Sequence, residues 1–358
     1  MYNRRFAVII LIIALTLSAC IGSDNIGKKS EKFNNSQNAD TQITKSDDTV
    51  QFHFIDVGQG DSILIQNGNT NILIDAGTSE SGPVIYEYLR KLGIDYLDYF
   101  IGTHPHEDHL GGAASLLTGI DVGCIFLNME GSTSYFYENF LTLMIERNIQ
   151  PEFPDMDCVY KIGDLRLKFL SPTKDFEDEN NNSLVLMVQF GDVKALFTGD
   201  AERAVESYLL STGTDISADI LKVGHHGSKY ASTKEFLYAV YPSVAVIQSE
   251  EGNSYGHPHQ EVLDRLADID CSVLRCDQEG TIVLITDGKT IQRSNGENYE
   301  LSSDKEKTPL AYIGNKKSKV FHLETCPNLP GEKNRIELAS KEEAINLGYK
   351  SCGNCIGK

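Results

Sequence analysis

The stretch THPHEDHLGG, residues 103–112, contains three of the nine histidines of the chain. It follows the apolar run Tyr99 to Ile101 and ends in two glycines, a pattern typical of a buried strand that turns directly into a helix. Imidazole nitrogens and carboxylate oxygens are the ligands of zinc, manganese or iron in hydrolytic sites. The stretch therefore predicts a metal centre at a strand end and not a solvated histidine-rich loop.

The spacing within this stretch predicts two metal ions. His104 and His106 are alternate residues at the strand end and can point to one ion. Asp108 and His109 are adjacent and can face a second ion as the chain turns into the helix. A pair of divalent ions polarises a substrate oxygen and makes water nucleophilic near neutral pH. The expected cofactors of this site are two divalent ions, zinc or manganese.

Two groups of strands predict a layered α/β fold. QFHFIDV, SILIQ and NILIDAG, from Gln51 onward, have the pattern of consecutive antiparallel strands. Alternating strands and helices follow them, and the same order repeats from LRLKFLS at Leu165 to TIVLIT at Thr281. Each group predicts one sheet. Two packed sheets with helices outside form a four-layer αββα sandwich.

THPHEDHLGG resembles the His-x-His-x-Asp-His signature of the metallo-β-lactamase-fold hydrolases. Its surroundings resemble the hydrolase domain of the ComEC/Rec2 family of competence proteins. The resemblance covers residues 50–293 and implies a four-layer metallo-β-lactamase sandwich with hydrolase activity. It rests on these segments, which follow one another in the family's order: FIDVGQGDSILI (54–65), LIDAG (73–77), THPHEDHLGG (103–112), NNSLVLMV (181–188), LFTGDAE (196–202), LKVGHHGS (221–228) and YGHPH (255–259).

Three further residues are candidate metal ligands. Asp200 ends the run ALFTG, where its carboxylate can bridge two cations; capping the following helix is a compatible role. His225 and His226 follow the run DILKV, and one of them offers the last ligand. We favour His226, although little in the sequence separates the two.

Residues that contact the metal ligands, but not the metal ions, are expected behind these side chains. Asp75, at the end of NILID, is expected to orient a ligand histidine from behind. Asp56 and Asp61 flank the turn Gly58-Gln59-Gly60, and they are either turn-forming or substrate-facing. We place Asp56 with Asp75 in this outer layer.

The sequence departs from the wider superfamily at one metal position. Many members have a further histidine before the bridging aspartate, but none lies between His109 and His225 here. Asn181-Asn182-Ser183 stands in that place, so one metal should bind less tightly and manganese suits the site as well as zinc. Asn182, Ser183 and His257 are candidates to grip a phosphate. His257 could instead protonate a leaving group or cap the following helix.

The N-terminus predicts a lipid anchor. Residues 1–19 combine Arg4-Arg5 with an apolar run and read as a signal peptide. Leu17-Ser18-Ala19-Cys20 resembles a bacterial lipobox, in which Cys20 is lipidated. Residues 20–49 are polar and predict a disordered tether. The resulting protein would be anchored at the extracytoplasmic face of a bacterial membrane; a signal peptide cut without lipidation is the alternative.

The C-terminus predicts a separate small domain. Residues 294–308 have the composition of a linker, and residues 309–358 carry a charge of +3. This unit resembles the small metal-binding domain of the Ada repair protein, with His322 where that domain carries a cysteine. The resemblance suggests DNA contact, although a structural or docking module fits equally. The His-x₃-Cys and Cys-x₂-Cys pairs predict a structural zinc site, with a disulfide as the alternative, formed by His322, Cys326, Cys352 and Cys355.

The net charge of the chain excludes some functional classes. The net charge of −19 argues against a protein that coats nucleic acid or binds anionic membranes generally. The hypothesis from sequence is a surface-anchored, metal-dependent phosphodiesterase acting on extracellular DNA. Its alternatives are a hydrolase of a cell-surface phosphoester, such as a choline or teichoic-acid linkage, a lactamase, and a non-catalytic DNA-binding lipoprotein. Oligomeric state is not predicted.

Overall fold

A computed structural model describes residues 48–128, 131–304, 311–324, 326, 328–353 and 356. The predicted signal peptide, the lipidation site Cys20, most of the tether and Cys355 lie outside the described residues. In the described part, no helix is both long and apolar enough to cross a membrane.

Two mixed sheets form the centre of the larger unit. The first has nine strands in the order β16-β15-β14-β1-β2-β3-β4-β5-β6 and the second seven in the order β13-β12-β11-β10-β9-β8-β7. The first sheet contains β1 (Val50–Phe54), β2 (Ile63–Asn67), β3 (Thr70–Ile74), β4 (Tyr96–Gly102), β5 (Asp121–Leu127), β6 (Pro151–Glu152), β14 (Ile282–Thr286), β15 (Ile291–Arg293) and β16 (Asn298–Tyr299). The second contains β7 (Val159–Ile162), β8 (Leu165–Phe169), β9 (Leu186–Phe190), β10 (Val193–Phe197), β11 (Ile220–Lys222), β12 (Val244–Ile247) and β13 (Ser272–Arg275).

The period-two pattern of the strands builds the core between the sheets. Phe52 and Phe54 of β1 contact Phe197 of β10 with ring centroids 5.9 Å and 6.3 Å apart. His53 points to the opposite face, where its Nδ1 lies 2.8 Å from the hydroxyl of Tyr88. Truncating a buried phenylalanine such as Phe197 to alanine typically costs about 3–5 kcal/mol.

Helices cover the outer face of each sheet. Side chains of α1, α3 and α4 join one apolar cluster with the first sheet, and those of α5, α6 and α7 join another with the second. The predicted four-layer αββα sandwich is therefore confirmed. The helices are α1 (Gly82–Lys91), α2 (Glu107–Leu110), α3 (Ala113–Gly119), α4 (Tyr135–Glu146), α5 (Arg203–Thr212), α6 (Lys234–Val240), α7 (Gln260–Ala267) and α8 (Cys276–Glu279).

The histidine-bearing loops lie at one edge of the sandwich. They follow β4, β11 and β12, and each of these strands is parallel to its neighbour in the sheet. Parallel strands bring their carboxyl ends to one edge, where ligands bind in open α/β sheets. Gly112 allows the close approach that this edge requires, because a Cβ there would overlap the Ala76 carbonyl oxygen.

The larger unit extends past the predicted boundary at residue 293. Asn298–Tyr299 forms β16 and pairs with β15, so the start of the predicted linker is part of the first sheet. The backbone N–H and hydroxyl of Ser302 donate to Asp219 at 2.8 Å and 2.7 Å. Polar composition misplaced this boundary because an edge strand needs few apolar residues.

The C-terminal unit has its own small sheet and core. Four strands lie in the order β19-β17-β18-β20 and pack with α9 around Tyr312, Phe321 and Leu338. The elements are β17 (Tyr312–Asn315), β18 (Val320–Leu323), β19 (Arg335–Leu338), α9 (Lys341–Asn346) and β20 (Lys350–Ser351).

Candidate metal centre

Asp200 stands between two sets of histidines. Its Oδ2 lies 3.9 Å from Nε2 of His104 and 3.7 Å from Nε2 of His225. Its Oδ1 lies 3.2 Å from Nε2 of His109 and 3.6 Å from Nε2 of His226. Each oxygen thus faces a different group of nitrogens, which is the arrangement a carboxylate needs to bridge two cations.

The first set is built by the end of β4. Nε2 of His104 and Nδ1 of His106 lie 3.0 Å apart, close enough for both to bind one ion when neither nitrogen carries a proton. His104 is fully buried, whereas His106 is 35% exposed. His106 is therefore accessible to solvent from this side of the site.

The second set combines the start of α2 with the loop after β11. Nε2 of His226 lies 3.2 Å from Oδ2 of Asp108, and potential ligand atoms of Asp108, His109 and His226 all lie within 4.8 Å of one another. His226 is 1% exposed and faces this set. His225 is 21% exposed and faces the other oxygen of Asp200. The geometry favours His226 over His225 as the ligand of the second set.

Buried polar atoms test whether metal ions fit here. In the described part of the chain, Nε2 of His109, Nε2 of His226 and Oδ1 of Asp200 are buried without a well-aligned hydrogen bond. The two imidazole nitrogens nevertheless lie 3.2 Å and 3.6 Å from Oδ1 of Asp200. Buried polar groups are costly unless satisfied, and nitrogen and oxygen ligands of this kind suit divalent zinc or manganese. The residues fit a metal centre.

Charge complementarity within the site shifts several pKa values. Burial lowers the pKa of His226, but the neighbouring Asp200 and Asp61 outweigh burial and raise it to about 10. Burial likewise opposes the ionisation of Asp108, yet His226 and His109 hold its pKa below the ordinary value. Without metal, protons on His109 and His226 balance the carboxylates, because burial lowers the pKa of both rings less than the neighbouring acids raise it. Divalent cations would displace those protons.

Carboxylates stand behind the ligand histidines. Oδ2 of Asp75 lies 2.8 Å from Nδ1 of His109, a position from which a carboxylate can orient the imidazole ring. The Thr103 backbone N–H donates to the other oxygen of Asp75 at 2.8 Å, which fixes the carboxylate. Glu179 lies 3.1 Å from Nε2 of His106, and Glu202 lies 2.9 Å from Nδ1 of His225. Sequence reasoning missed both residues. Glu179 lies outside the family-like segments, and Glu202 ends LFTGDAE but contacts His225 only once the two segments fold together.

The loop after β11 has an unusual backbone. His225 and His226 have φ values of 47° and 51°, and Asp75 has a φ of 56°. Non-glycine residues in this left-handed region carry strain of about 1–3 kcal/mol each, and such strain clusters at functional sites. Here it turns two successive imidazoles toward the two oxygens of Asp200.

Asn182 and Ser183 differ from their predicted role as phosphate contacts. The Asn182 side chain accepts from the backbone N–H of Phe176 and donates to its carbonyl, at 2.8 Å and 3.0 Å. The Ser183 hydroxyl is fully buried; it accepts from the Asp200 backbone N–H at 3.1 Å and lies 3.2 Å from Nδ1 of His104. Both side chains are committed to holding the site together.

Asp56 also differs from its expected place. It is exposed, and its carboxylate accepts from the backbone N–H of Gly58, which makes it a turn residue. Asp61 occupies the position behind a ligand, with its Oδ1 3.2 Å from Nδ1 of His226 and its Oδ2 2.8 Å from Nζ of Lys222. The sequence indicates these contacts only weakly, because the GQGD turn and the run LKVGHHGS meet only when the two sheets pack.

His257 reaches the site from the loop after β12. Its ring lies 5.5 Å from that of His225 and 6.3 Å from that of His226. Burial and these two histidines lower its pKa to about 4. His257 does not cap the following helix, because His259 holds the N-cap position of α7. Tyr255 stacks on the His257 ring at 5.6 Å and is 64% exposed.

A second cluster lies in the C-terminal unit. Nδ1 of His322 is 3.4 Å from Sγ of Cys326, which is 4.0 Å from Sγ of Cys352. All three side chains are buried. The sulfur separation is far beyond a disulfide bond of about 2.05 Å, so Cys326 and Cys352 are not bonded. It is close to the roughly 3.8 Å edge of a tetrahedral zinc–thiolate site.

Comparison with known proteins places the chain in a family. Residues 55–249 match the family model of the metallo-beta-lactamase superfamily. ComE operon protein 3 of Bacillus subtilis is 36% identical over 249 residues, which are 64% of this chain and 32% of that protein. Recombination protein 2 of Haemophilus influenzae is 34% identical over 227 residues, or 61% of this chain and 26% of that protein.

The chain therefore matches about a third or less of the length of these relatives. Among solved structures, the metallo-beta-lactamase fold protein YhfI from Bacillus subtilis covers 66% of this chain and all of its own, at 13% identity and a TM-score of 0.47. The family match covers more than half of the sequence and includes the Asp200-centred site. The chain belongs to the metallo-beta-lactamase superfamily.

Proposed function

We propose that this protein is a metal-dependent phosphodiesterase that cleaves extracellular DNA at the cell surface. The observation that carries the proposal is Asp200, whose two oxygens face the His104 and the His226 sides of the site separately. Similarity to proteins named Recombination protein 2 and Competence protein ComA, the latter from Neisseria gonorrhoeae at 30% identity over 63% of this chain and 31% of that protein, supports DNA as the substrate.

Two divalent ions would be held by His104, His106 and Asp200 on one side and by Asp108, His109, His226 and Asp200 on the other. When bound, they supply Lewis acidity and a nucleophilic water. The Asp108 carboxylate, 27% exposed beside His226, is placed to orient that water. Burial lowers the pKa of His225, but Glu202 and Asp200 outweigh burial and raise it, so this partly exposed ring can hold a proton on both nitrogens and donate the Nε2–H to a phosphate oxygen. His257, with its pKa of about 4, acts as a neutral hydrogen-bonding group.

The negative charge of the larger unit opposes the binding of DNA. Residues 50–307 carry about −23, a field that opposes the approach of a polyanion. Metal ions at the site must offset that field locally. The same field favours a cationic substrate, which keeps a cell-surface phosphoester with a choline-like headgroup as the second candidate.

Purified protein with Mn²⁺ or Zn²⁺ and labelled single-stranded DNA tests the proposal. We expect cleavage that is lost in Asp108→Ala and on chelation, and kept in Asp56→Asn, whose side chain lies in an exposed turn. Intact DNA together with turnover of a phosphocholine ester would favour the second candidate. Metal loading without turnover of either would favour the non-catalytic DNA-binding role.

We further propose a surface anchor through Cys20 and a structural zinc in the C-terminal unit. The His322–Cys326–Cys352 cluster supports the zinc, with Cys355 as the fourth ligand. Elemental analysis of the full chain should lose one zinc equivalent in Cys352→Ser and keep both ions of the hydrolase site. Membrane fractionation of cells expressing Cys20→Ser should release the protein, whereas retention would argue against the anchor.

A further inference from the structure

A buried ion pair lies directly behind His226. Nζ of Lys222 is 2.8 Å from Oδ2 of Asp61, and both side chains are at most 1% exposed. Oδ1 of Asp61 lies 3.2 Å from Nδ1 of His226. Lys222 thus contacts Asp61, and Asp61 contacts the imidazole of His226. The other ring nitrogen of His226, Nε2, faces Asp108 and Asp200.

We propose that the Lys222–Asp61 pair positions His226 for its metal ion. Asp61 and the Gln248 carbonyl share the Nδ1–H of His226, at 3.2 Å and 3.0 Å, and so leave Nε2 free for the ion, as acceptors behind metal-bound histidines do. Lys222 holds the other carboxylate oxygen and keeps Asp61 from becoming a ligand itself. This inference rests on the metal binding that the proposed function requires.

The need for the lysine follows from the crowding of acids at the site. Potential ligand atoms of Asp61, Asp200 and His226 all lie within 4.8 Å of one another, and the three side chains are buried. A free carboxylate at that distance would be drawn to the metal ion, because little water screens the attraction. Lys222 is itself fixed, since its Nζ also donates to the Val223 carbonyl at 2.8 Å.

The pair also joins the two halves of the sandwich. Asp61 belongs to the loop after β1 of the first sheet, whereas Lys222 ends β11 of the second. Gln248 repeats the connection: its carbonyl lies 3.0 Å from Nδ1 of His226, and its Nε2 donates to the carbonyls of Ile55 and Ser62 at 2.8 Å and 3.0 Å. The orientation of His226 therefore depends on contacts from both sheets.

A charge-balanced pair of substitutions separates positioning from structural support. The variants are Asp61→Asn, Lys222→Met and the double variant, in the full chain. Thermal unfolding without metal reports folding, and competition with a chromophoric chelator reports the affinity for each of two Mn²⁺ or Zn²⁺ ions. An exposed ion pair of similar length, Lys194–Asp215 at 2.7 Å, provides the matched control as Lys194→Met with Asp215→Asn.

We expect each single variant to unfold at a lower temperature, because it leaves a buried charge without its partner. The double variant should regain much of that temperature. It should still bind one ion about 10–100-fold more weakly than the wild type, with the other ion and the control pair unchanged. Wild-type affinity for both ions in the double variant would overturn the proposal and leave a purely structural ion pair.

A measurement on the wild type covers the case in which the variants do not fold. In the metal-loaded protein, nitrogen-15 histidine spectra should show His226 with a slowly exchanging Nδ1–H and a metal-bound Nε2. Coordination through Nδ1 would overturn the inference, as would a wild type that binds no ion. Tight binding of two ions without DNA cleavage would instead overturn only the proposed function.

Discussion

Asp75 Oδ2 lies 2.8 Å from Nδ1 of His109, and both side chains are fully buried at the end of β3 and the start of α2. The carboxylate also accepts from the Thr103 hydroxyl at 2.7 Å and from the Thr103 backbone N–H at 2.8 Å. Three donors on one carboxylate fix the imidazole ring. The metal-facing Nε2 of His109 is thereby aimed at Asp200.

Asp75→Asn should weaken metal binding by about 10–100-fold, because an amide has one acceptor oxygen and cannot serve all three donors. Asparagine tolerates the left-handed backbone at this position, so the fold should survive. Competition with a chelator measures the affinity, and circular dichroism checks the fold. Asp56→Asn is the matched control, and equal affinities in the two variants would contradict the orienting role.

Metal ions should stabilise the protein, and more so at higher pH. Ions that bind only the folded chain raise its unfolding temperature with concentration. The metal-free pKa of His226 is about 10, so below that pH a proton must leave before the ion binds, and apparent affinity falls as pH falls.

Thermal unfolding with increasing Mn²⁺ at pH 6 and at pH 8 measures this linkage. The increase in unfolding temperature should be larger at pH 8, and chelator should abolish it. Asp200→Ala should show no increase at either pH. An increase that is larger at pH 6 would contradict the proton competition.

Tyr255→Ala should weaken single-stranded DNA binding more than it slows hydrolysis of a small phosphodiester. The ring is 64% exposed and stacks on His257 beside the site, so its outer face is free to stack on a base. The Asn253 side chain holds this loop by accepting from the backbone N–H groups of Tyr255 and His257. We expect KM for DNA to rise roughly 5–150-fold, the equivalent of about 1–3 kcal/mol of stacking.

Tyr135→Ala is the control, since this tyrosine is 84% exposed on α4. It should leave both substrates unaffected. Equal loss on DNA and on the small phosphodiester in Tyr255→Ala would indicate that the ring supports His257 and makes no contact with a base.

Glu206→Gln should flatten the dependence of stability on pH between about 4.5 and 7. Burial raises the pKa of Glu206 from 4.5 to about 7, against the hydrogen bonds from Ser232 and Thr233. The folded chain therefore holds this proton more tightly than the unfolded chain, and stability from this group is present below pH 4.5 and lost as pH rises through 7. Urea unfolding at several pH values measures the slope.

The glutamine variant will lose an acceptor for the start of α6, so its absolute stability should be lower. The test therefore compares how the free energy of unfolding changes with pH in the two proteins, and not its absolute value. A wild-type free energy of unfolding that rises between pH 5 and 7, with the same rise in Glu206→Gln, would show that this carboxyl does not titrate as its burial implies.

Local sequence determined most of the fold and the types of ligand. Alternation of apolar residues defines which face of β1 meets the other sheet, and it depends only on the two-residue period of a strand. The spacing of His104, His106, Asp108 and His109 is equally local. These features therefore predict a two-sheet sandwich and a metal site at the end of β4.

The tertiary structure alone decided the partners of those ligands. Asp61 and Lys222 are distant in the sequence and meet only because two sheets pack face to face, and no periodic pattern encodes that contact. Ser183 and Asn182 read as phosphate contacts, yet backbone groups of Asp200 and Phe176 occupy their side chains. His226 faces the second set, and not His225, because two successive left-handed residues orient the loop, a property of packing and not of residue type.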